Sequence, residues 1–252
     1  MAKDKGDRTA LVTGAGRRLG RIIALDLAAR GWRLGVHYRA SATEAAALVV
    51  EIERNGGKAA AFAADLDRLD ALPQLIADCA AALGAPTCLI NNAARFERDT
   101  LATLDGPTWQ AHLDVNLRAP IFLTQAFARA LPEGMEGNVI NILDQKVLRL
   151  TPDYFSYTIA KAALWSATQT MAQALAPRIR VNAVAPGPVL KHEGQNQSAF
   201  ERECGATLLQ RAVSAGDVAG AVLFLLETPS ITGQIIALDS GQHLAFDREG
   251  HA

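Results

Sequence analysis

The feature that most constrains the fold of this chain is a regular alternation of short apolar runs with longer segments of helical spacing. TALV (9–12) is typical of a strand, and it leads through the turn TGAGRRLG (13–20) into apolar residues at helical intervals. Further strands are predicted at 33–38, 59–65, 88–92, 138–143, 179–187 and 234–239. Helices are predicted at 42–54, 69–83, 107–130 with a bend at Pro120, 152–176, 199–210 and 215–227.

Strands separated by helices indicate parallel βαβ units, with right-handed crossovers and helices on both faces of the sheet. No shift in composition suggests a second unit, so the sequence predicts one doubly wound α/β domain over 1–252. The one long polar interruption, 190–203, follows the carboxyl end of a strand, where doubly wound folds place ligands. A substrate lid, extending to 190–210, and an ordinary surface loop both fit this segment.

Composition excludes several classes of function. The formal net charge is −1, which gives no electrostatic reason to bind nucleic acid or an anionic membrane surface. No apolar segment approaches the ~20 residues of a membrane span, and the amino-terminal MAKDKGDR does not resemble a signal peptide. The three cysteines have no metal-type spacing and are expected to be buried thiols, so no metal site is predicted. A cytoplasmic enzyme is the default expectation.

The glycine-rich turn after the first strand predicts a dinucleotide site. Gly14, Gly16 and Gly20 occupy this turn, although Leu19 stands where the common G-x-G-x-x-G pattern has its third glycine. Glycine is common in turns because it tolerates backbone angles that other residues avoid. The evidence for a dinucleotide site is therefore the position of this turn between a strand and a helix. The N–H groups and the dipole at a helix start favour a pyrophosphate.

The end of the second strand indicates which dinucleotide binds. NAD-preferring sites usually have an acidic residue there, whereas VHYRAS (36–41) has none. Arg17 and Arg18 add positive charge in the glycine turn, so a 2′-phosphate and therefore NADP(H) is favoured. Asp65, followed by Leu66, ends the third strand and would suit the adenine amino group. The candidate donors at the strand end are His37, Tyr38, Arg39 and Ser41, although Arg39 could equally be a solvated surface residue.

A tyrosine and a lysine form a candidate acid–base pair. If a helix begins near Pro152, Tyr157 and Lys161 lie one turn apart on the same face. An ammonium about 4 Å from the phenol would favour the phenolate, so the pKa of Tyr157 is expected to fall by about one to three units from ~10. By itself, such a pair could also be a coincidence on a helix face.

Five landmarks together resemble the short-chain dehydrogenase/reductase family: TGAGRRLG (13–20), NNAA (91–94), Asn116, YTIAK (157–161) and VNAVAPG (181–187). The resemblance implies a Rossmann-like domain with a parallel, about seven-stranded sheet, typically in a homotetramer. It also implies Tyr157 as acid–base, Lys161 as its polariser and ribose ligand, and Asn116 in a proton relay through water. The residues implied to line the cofactor are Asn92, Ala93, Ala94, Pro186 and Gly187.

Two departures from the family pattern narrow the resemblance. Arg18 replaces a usual glycine, and Asp144 replaces the usual catalytic serine thirteen residues before Tyr157. An ionised carboxylate cannot donate to a ketone oxygen, but it suits a substrate with ring N–H or amino donors. Both departures resemble the pteridine reductases and dihydromonapterin reductases. That likeness implies Arg18 beside phosphates and pterin, and Phe96 stacked on the pterin. It also implies that Tyr154 lines the pocket.

The sequence therefore predicts NADPH-dependent reduction of a dihydropterin to a tetrahydropterin, with Asp144, Tyr157 and Lys161 handling the proton. One departure from the pterin-reducing group is that Ala94 and Arg95 replace its common serines. Two alternatives remain open at this point. One is a general NADP-dependent carbonyl reductase of the 3-oxoacyl or sugar type, and the other is a non-catalytic NADP(H)-binding protein.

Overall fold

The structure, a computed structural model, describes residues 8–192 and 194–245 and contains a parallel sheet of seven strands in the order β3-β2-β1-β4-β5-β6-β7. The expectation about the first residues, MAKDKGD, lies outside the described residues. The predicted single α/β architecture with an about seven-stranded parallel sheet is confirmed. The strands are β1 Thr9–Val12, β2 Arg33–Tyr38, β3 Ala59–Ala63, β4 Cys88–Asn91, β5 Gly137–Ile142, β6 Ile179–Pro186 and β7 Ile235–Leu238.

Eight α-helices connect or follow the strands in the described part of the chain. They are α1 Arg18–Ala29, α2 Ala42–Arg54, α3 Ala71–Leu83, α4 Gly106–Leu113, α5 Ala119–Ala130, α6 Phe155–Leu175, α7 Gln197–Gly205 and α8 Ala215–Glu227. The predicted helix 152–176 begins later, at Phe155, because Tyr154 adopts a left-handed backbone with φ 57°. The helix predicted at 199–210 instead covers Gln197–Gly205, where the Asn196 side chain accepts from the Ala199 N–H.

The stretch predicted as one helix over 107–130 is interrupted. A π-helical turn, Asp114–Arg118, lies between α4 and α5. Pro120 falls in the first turn of α5, where a missing N–H is tolerated. The π-helical turn, where the hydrogen-bond register changes, therefore lies before Pro120. Turns of this kind are frequent at functional sites, and this one carries Asn116.

The sheet is buried on both faces because successive strand side chains point in opposite directions. In β1, Ala10 and Val12 join one core with α1, α2 and α8, while Leu11 joins the other with α3, α5 and α6. All three side chains are fully buried, and burial of a leucine alone contributes about 1.5–3 kcal/mol. The continuous apolar run TALV is therefore typical of a strand covered by helices on both faces.

This topology determines where a ligand can bind. β1 pairs with β2 on one side and with β4 on the other, so the chain reverses its direction of winding at β1. The turn after β1 and the turn after β4 face each other across this switch point. The three cysteines are free and buried. Among residues 8–192 and 194–245, no helix is both long enough and apolar enough to span a membrane.

Candidate active site

A cavity of about 710 Å³ opens at the carboxyl ends of the strands. All of the sequence-predicted site residues are described by the structure, and three of them lie outside the cavity lining: Gly16, Asn116 and Tyr154. The predicted residues that line it are Gly14, Arg17, Arg18, Leu19, Gly20, His37, Tyr38, Arg39, Ser41, Asp65, Leu66, Asn92, Ala93, Ala94, Phe96, Asp144, Tyr157, Lys161, Pro186 and Gly187. Residues chosen from separate motifs therefore meet at one site.

The ring of His37 is held by two backbone groups. Its ring is buried, with Nδ1 accepting from the Gly14 N–H (3.0 Å) and Nε2 3.1 Å from the Ala64 carbonyl oxygen. Burial lowers the pKa of His37 to about 4, so the ring is neutral and Nε2 donates to Ala64. Both ring nitrogens of His37 are therefore committed to the backbone, although the residue lines the cavity, and its contact with the cofactor stays a prediction. The ring instead ties β2 to the glycine turn.

The cavity end next to β2 carries cations and hydroxyl groups. Arg17 and Arg39 are exposed there, beside the half-buried Tyr38 and Ser41. Gly16 does not line the cavity, and its role is steric: a Cβ added to it would lie 3.0 Å from the Ser41 hydroxyl oxygen. This close approach brings the start of α2 against the turn. The arrangement suits a phosphate that carries more negative charge than a ribose hydroxyl.

The turns after β1 and β4 form a narrow cradle. The Asn92 side-chain amide donates to the carbonyl oxygens of Thr13 (2.8 Å) and Gly14 (3.3 Å). A Cβ on Gly20 would lie 2.5 Å from the Asn92 amide nitrogen, so only glycine lets α1 approach so closely. Helix α1 has no side-chain cap and no acidic residue in its first turn, which leaves its positive end for an anion. These residues fit the pyrophosphate of a dinucleotide.

Three side chains form the chemical centre of the cavity. The Tyr157 hydroxyl donates to Asp144 Oδ2 (3.1 Å), and Asp144 Oδ1 accepts from the Lys146 N–H (2.8 Å). Lys161 Nζ donates to the Ile142 carbonyl oxygen (2.6 Å) and lies 5.8 Å from the centroid of the Tyr157 ring. Tyr157 and Lys161 share one face of α6 as predicted, and β5 brings Asp144 to the same point.

The electrostatics of this centre differ from the prediction. Burial and the Asp144 carboxylate raise the pKa of Tyr157 well above its usual value. The expected fall in the pKa of Tyr157 is therefore wrong for this arrangement, because the phenol faces a negative group while the ammonium is bonded to a carbonyl oxygen. Burial also raises the pKa of Asp144 and lowers that of Lys161 to about 8. The phenol is held protonated and points its proton at the carboxyl group.

Aromatic rings border this centre. Phe96 lies edge-on to the ring of Tyr157, with centroids 4.7 Å apart and planes at 81°. Tyr154, which lies outside the lining, stacks on Phe96 at 4.4 Å with planes at 8°. Phe96 is 37% exposed, so it combines a fixed ring plane with open surface beside the phenol. Such a site favours a flat ring over a flexible chain.

Comparison with protein families gives a clear match. A family model described as "Enoyl-(Acyl carrier protein) reductase" matches residues 14–243, which is nearly the whole described chain. The chain belongs to the short-chain dehydrogenase/reductase family. The glycine turn, the Tyr157–Lys161 pair and the cavity at the switch point all lie within the matched residues.

Solved structures and curated sequences show two kinds of relative for this short-chain reductase. The structure of "FolM Alternative dihydrofolate reductase 1" from Brucella canis, complexed with NADP, is 42% identical, with a TM-score of 0.95 over 99% of this chain and 100% of that one. The Brucella suis protein of the same name, also with NADP, is 43% identical, with a TM-score of 0.94 over 98% and 99%. A "3-oxoacyl-[acyl-carrier-protein] reductase" from Synechocystis is 37% identical over 93% of this chain and 96% of its own length.

Asn116 has a structural task in this short-chain reductase. Its Oδ1 accepts from the Arg95 N–H (2.9 Å), and its Nδ2 donates to the Arg95 carbonyl oxygen (2.9 Å). The side chain is fully buried and does not line the cavity. Both polar side-chain atoms of Asn116 therefore hold the backbone of Arg95, and its part in a proton relay through water stays a prediction.

Sequence reasoning missed several cavity residues of this reductase. Glu203 accepts from the side-chain amides of Gln195 (2.9 Å) and Gln242 (3.5 Å), and all three line the cavity. His192 lines it too, with its ring 5.5 Å from that of Phe96. Three of the four belong to the polar segment 190–203, whose unusual polarity was the available signal. Lys146 and Gln145, next to Asp144, also line the cavity and were not singled out.

Proposed function

We propose that this protein reduces a pterin, converting a dihydropterin to its tetrahydro form with NADPH. The observation that carries the proposal is the carboxyl group of Asp144, 3.1 Å from the Tyr157 hydroxyl, at the position where the family usually has serine. A carboxyl group can exchange a proton with a ring nitrogen and accept from ring N–H or amino groups. A ketone offers neither kind of group. The Brucella relatives named as alternative dihydrofolate reductases agree with this assignment.

The cofactor is NADP(H), as in the Brucella structures. Its phosphates would lie on the start of α1 and beside Arg17, with Arg39 and Ser41 at the 2′-phosphate. When bound, NADPH supplies the reducing equivalents of the reaction. The protein residues provide the binding groups, the substrate position and the proton.

The substrate ring would lie against Phe96, close to Tyr157 and Asp144. Because the pKa of Asp144 is raised by burial, a larger share of this carboxyl is protonated near neutral pH than in an exposed aspartate. Asp144 would give its proton to a ring nitrogen and regain one from the Tyr157 hydroxyl. Lys161, once charged, would limit the energetic cost of the resulting phenolate.

We also propose that 190–203 acts as a lid. Arg18 donates to the carbonyl oxygens of Leu190 (3.0 Å) and Lys191 (2.9 Å), and it also lines the cavity. One guanidinium therefore joins the glycine turn to a segment whose residues line the cavity. Arg18 would respond both to the cofactor phosphates and to the closing of this segment.

A second candidate function is reduction of a carbonyl group in a 3-oxoacyl substrate. The specific observation in its favour is the Synechocystis relative, 37% identical over 96% of its own length. The missing serine hydroxyl opposes it, because Asp144 can donate to a ketone oxygen only while it is protonated, whereas a serine hydroxyl is always a donor. Oxidation of NADPH with dihydromonapterin, dihydrobiopterin, dihydrofolate and a β-keto ester, measured side by side, separates the two candidates.

The sharpest variant is Asp144→Ser, which restores the usual residue of the family. We expect kcat/KM for the pterin to fall by about 10²–10⁴-fold, the usual contribution of a positioned acid or base. Asp144→Asn is the matched control, since it keeps the size and one acceptor oxygen but carries no transferable carboxyl proton. It should lose pterin activity as well, and neither variant should change the affinity for NADPH. Unimpaired pterin turnover in Asp144→Ser would refute the role of Asp144.

A further inference from the structure

A buried cluster of three polar side chains lies behind the active site and has no part in the proposed chemistry. Asp99 follows β4, His112 lies on α4 and Ser156 lies in the first turn of α6. They are 3%, 0% and 0% exposed, and none of them lines the cavity. Burying polar side chains costs free energy unless all of their hydrogen bonds are made. The groups that these three side chains bind therefore determine whether the cluster is stable.

The hydrogen bonds of this cluster have one direction. The Glu97 backbone N–H donates to His112 Nε2 (3.1 Å), so Nε2 carries no proton and the neutral ring is protonated on Nδ1. His112 Nδ1 then donates to the Ser156 hydroxyl oxygen (2.6 Å), and the Ser156 hydroxyl donates to Asp99 Oδ2. Burial also lowers the pKa of His112, in agreement with a neutral ring.

The cluster holds the segment 95–99 at successive points. Glu97 is bound by His112, and the Asp99 carboxylate accepts from the backbone N–H of Ser156 (3.2 and 3.3 Å) at the start of α6. At the other end of the segment, the Asn116 side chain holds Arg95 through both backbone groups. The one large aromatic side chain of the segment, Phe96, is thus flanked on both sides by residues held at the backbone.

The cluster also adjoins the catalytic tyrosine. Tyr157 follows Ser156 directly, and its ring lies 6.1 Å from the His112 ring with the planes at 71°. The ring of Phe96 meets the same phenol edge-on at 4.7 Å. A single hydrogen-bonded chain therefore connects the segment that carries Phe96, through the backbone of Glu97, with the start of the helix that carries Tyr157.

We propose that Asp99, Ser156 and His112 form a positioning network that fixes the plane of Phe96 relative to Tyr157 and so determines the affinity for a flat heterocyclic substrate. The inference rests on the proposed function to the extent that this heterocycle is a pterin. His112 and Ser156 act through Phe96 and Tyr157, without contact with the substrate. Loss of the Ser156 hydroxyl leaves the His112 Nδ1–H without its buried acceptor and removes one of the donors to Asp99 Oδ2, which keeps the backbone N–H of residue 156. The segment 95–99 is therefore expected to relax.

The test compares Ser156→Ala with Thr168→Val. Thr168 is also a fully buried residue of α6, and its hydroxyl accepts from Asn141 (2.9 Å) and donates to the Leu164 carbonyl oxygen (2.8 Å), away from 95–99. Four quantities are measured for each variant: amide hydrogen exchange of the peptide covering 95–99, KM and kcat for dihydromonapterin, Kd for NADPH, and Tm. Ser156→Thr, which keeps the hydroxyl, serves as the rescue.

We expect Ser156→Ala to raise KM for dihydromonapterin about tenfold, the effect of one lost buried hydrogen bond on binding, with kcat changed less than about threefold. The Kd for NADPH should stay within about twofold, and exchange at 95–99 should become faster. Thr168→Val should lower Tm while leaving KM and this exchange near the wild-type values. If Ser156→Ala fails to fold, Asp99→Asn is expected to give the same pattern.

Several outcomes would overturn the proposal. One is unchanged exchange at 95–99 in Ser156→Ala, and another is unchanged KM for the pterin. A third is that the affinities for NADPH and for the pterin fall together, in step with the fall in Tm, because this pattern would indicate general destabilisation only. Amide exchange needs no substrate, so a wild-type protein inactive on pterins would contradict the proposed function while exchange still tests the network.

Discussion

At the scale of single residues, the carboxyl group at position 144 changes what its neighbours can do. The phenol of Tyr157 donates to Asp144, and Lys161 donates to the carbonyl oxygen of Ile142. With a serine in place of the aspartate, the negative charge that raises the pKa of Tyr157 would be absent. The same tyrosine and lysine can therefore serve different chemistry depending on one side chain that follows β5.

The buried Lys161 leads to a prediction about pH. Its pKa is lowered from 10.5 to about 8, so between these values the unfolded chain binds a proton that the folded protein does not. At low pH, folding buries the charged ammonium, and this lowers the free energy of unfolding. The cost diminishes as pH rises from about 8 to about 10.5, so the free energy of unfolding increases over that range. Activity should change in the opposite direction, because the ammonium is needed to stabilise a phenolate. We expect kcat to fall as pH rises through about 8.

The measurement is kcat at saturating substrate concentrations from about pH 6 to about pH 10, a range that spans the lowered pKa of Lys161. Tm is recorded at each pH. Tm separates loss of the ammonium from unfolding. A constant kcat through the alkaline range, with the protein folded, would contradict the role of Lys161 as a charged group.

At the scale of secondary-structure elements, two helices begin next to strained residues. Arg18 and Tyr154 have φ values of 52° and 57°, the left-handed region that favours glycine, at the starts of α1 and α6. Both side chains reach the segment that we propose as a lid: Arg18 donates to Leu190 and Lys191, and the Tyr154 hydroxyl lies 3.5 Å from the His192 ring nitrogen Nε2. Strain of this kind is common at functional sites.

The strain at Arg18 predicts that its replacement by glycine changes stability little but impairs function. Arg18→Gly removes a left-handed side chain that costs about 1–2 kcal/mol, which offsets the loss of two exposed hydrogen bonds to the lid. We therefore expect the free energy of unfolding to stay within about 1 kcal/mol of wild type. KM for the substrate should rise about tenfold, and proteolysis between residues 188 and 196 should become faster.

Arg17→Gly is the matched control for this variant. Arg17 has an extended backbone, with φ −140°, so it carries no left-handed strain. Its replacement should lower the free energy of unfolding by about 0.5–1 kcal/mol through chain entropy while leaving lid proteolysis unchanged. Equal proteolysis in the two variants would show that Arg18 does not anchor the lid.

At the scale of the whole molecule, large apolar side chains remain exposed on the outer helices. Phe122 on α5, Ile159 on α6 and Phe224 on α8 are 40%, 41% and 52% exposed. Exposed apolar surface of this kind often marks contacts between subunits. The homotetramer implied by the family resemblance would provide such contacts, and it remains a prediction.

Light scattering after size-exclusion chromatography tests this assembly. The wild-type protein is expected at four times the 26.8 kDa of one chain. Phe224→Glu should reduce the assembly to smaller species, because it would bury an unpaired carboxylate, whereas Phe224→Leu should keep it intact. A wild-type monomer would contradict the prediction, and an intact Phe224→Glu tetramer would place Phe224 outside the interface.

Local pattern was sufficient to predict the order of the elements, the glycine turn and the shared helix face of Tyr157 and Lys161. These features depend on neighbours in sequence: apolar periodicity, strand-then-helix order and a spacing of four residues. The same patterns placed several element ends wrongly. The α6 start, for example, depends on the left-handed Tyr154 and on Asp99, which belongs to another segment.

The amino-acid sequence by itself determined the sheet, the family and the presence of an aspartate where the family usually has serine. Only the tertiary structure decided which groups these side chains bond: Tyr157 bonds Asp144, Lys161 bonds a strand carbonyl oxygen, and Arg18 reaches across to Lys191. The physical reason is that burial, and the charges brought within hydrogen-bonding distance, arise from segments far apart in the chain. Those conditions control pKa and bonding direction, and no local spacing contains them.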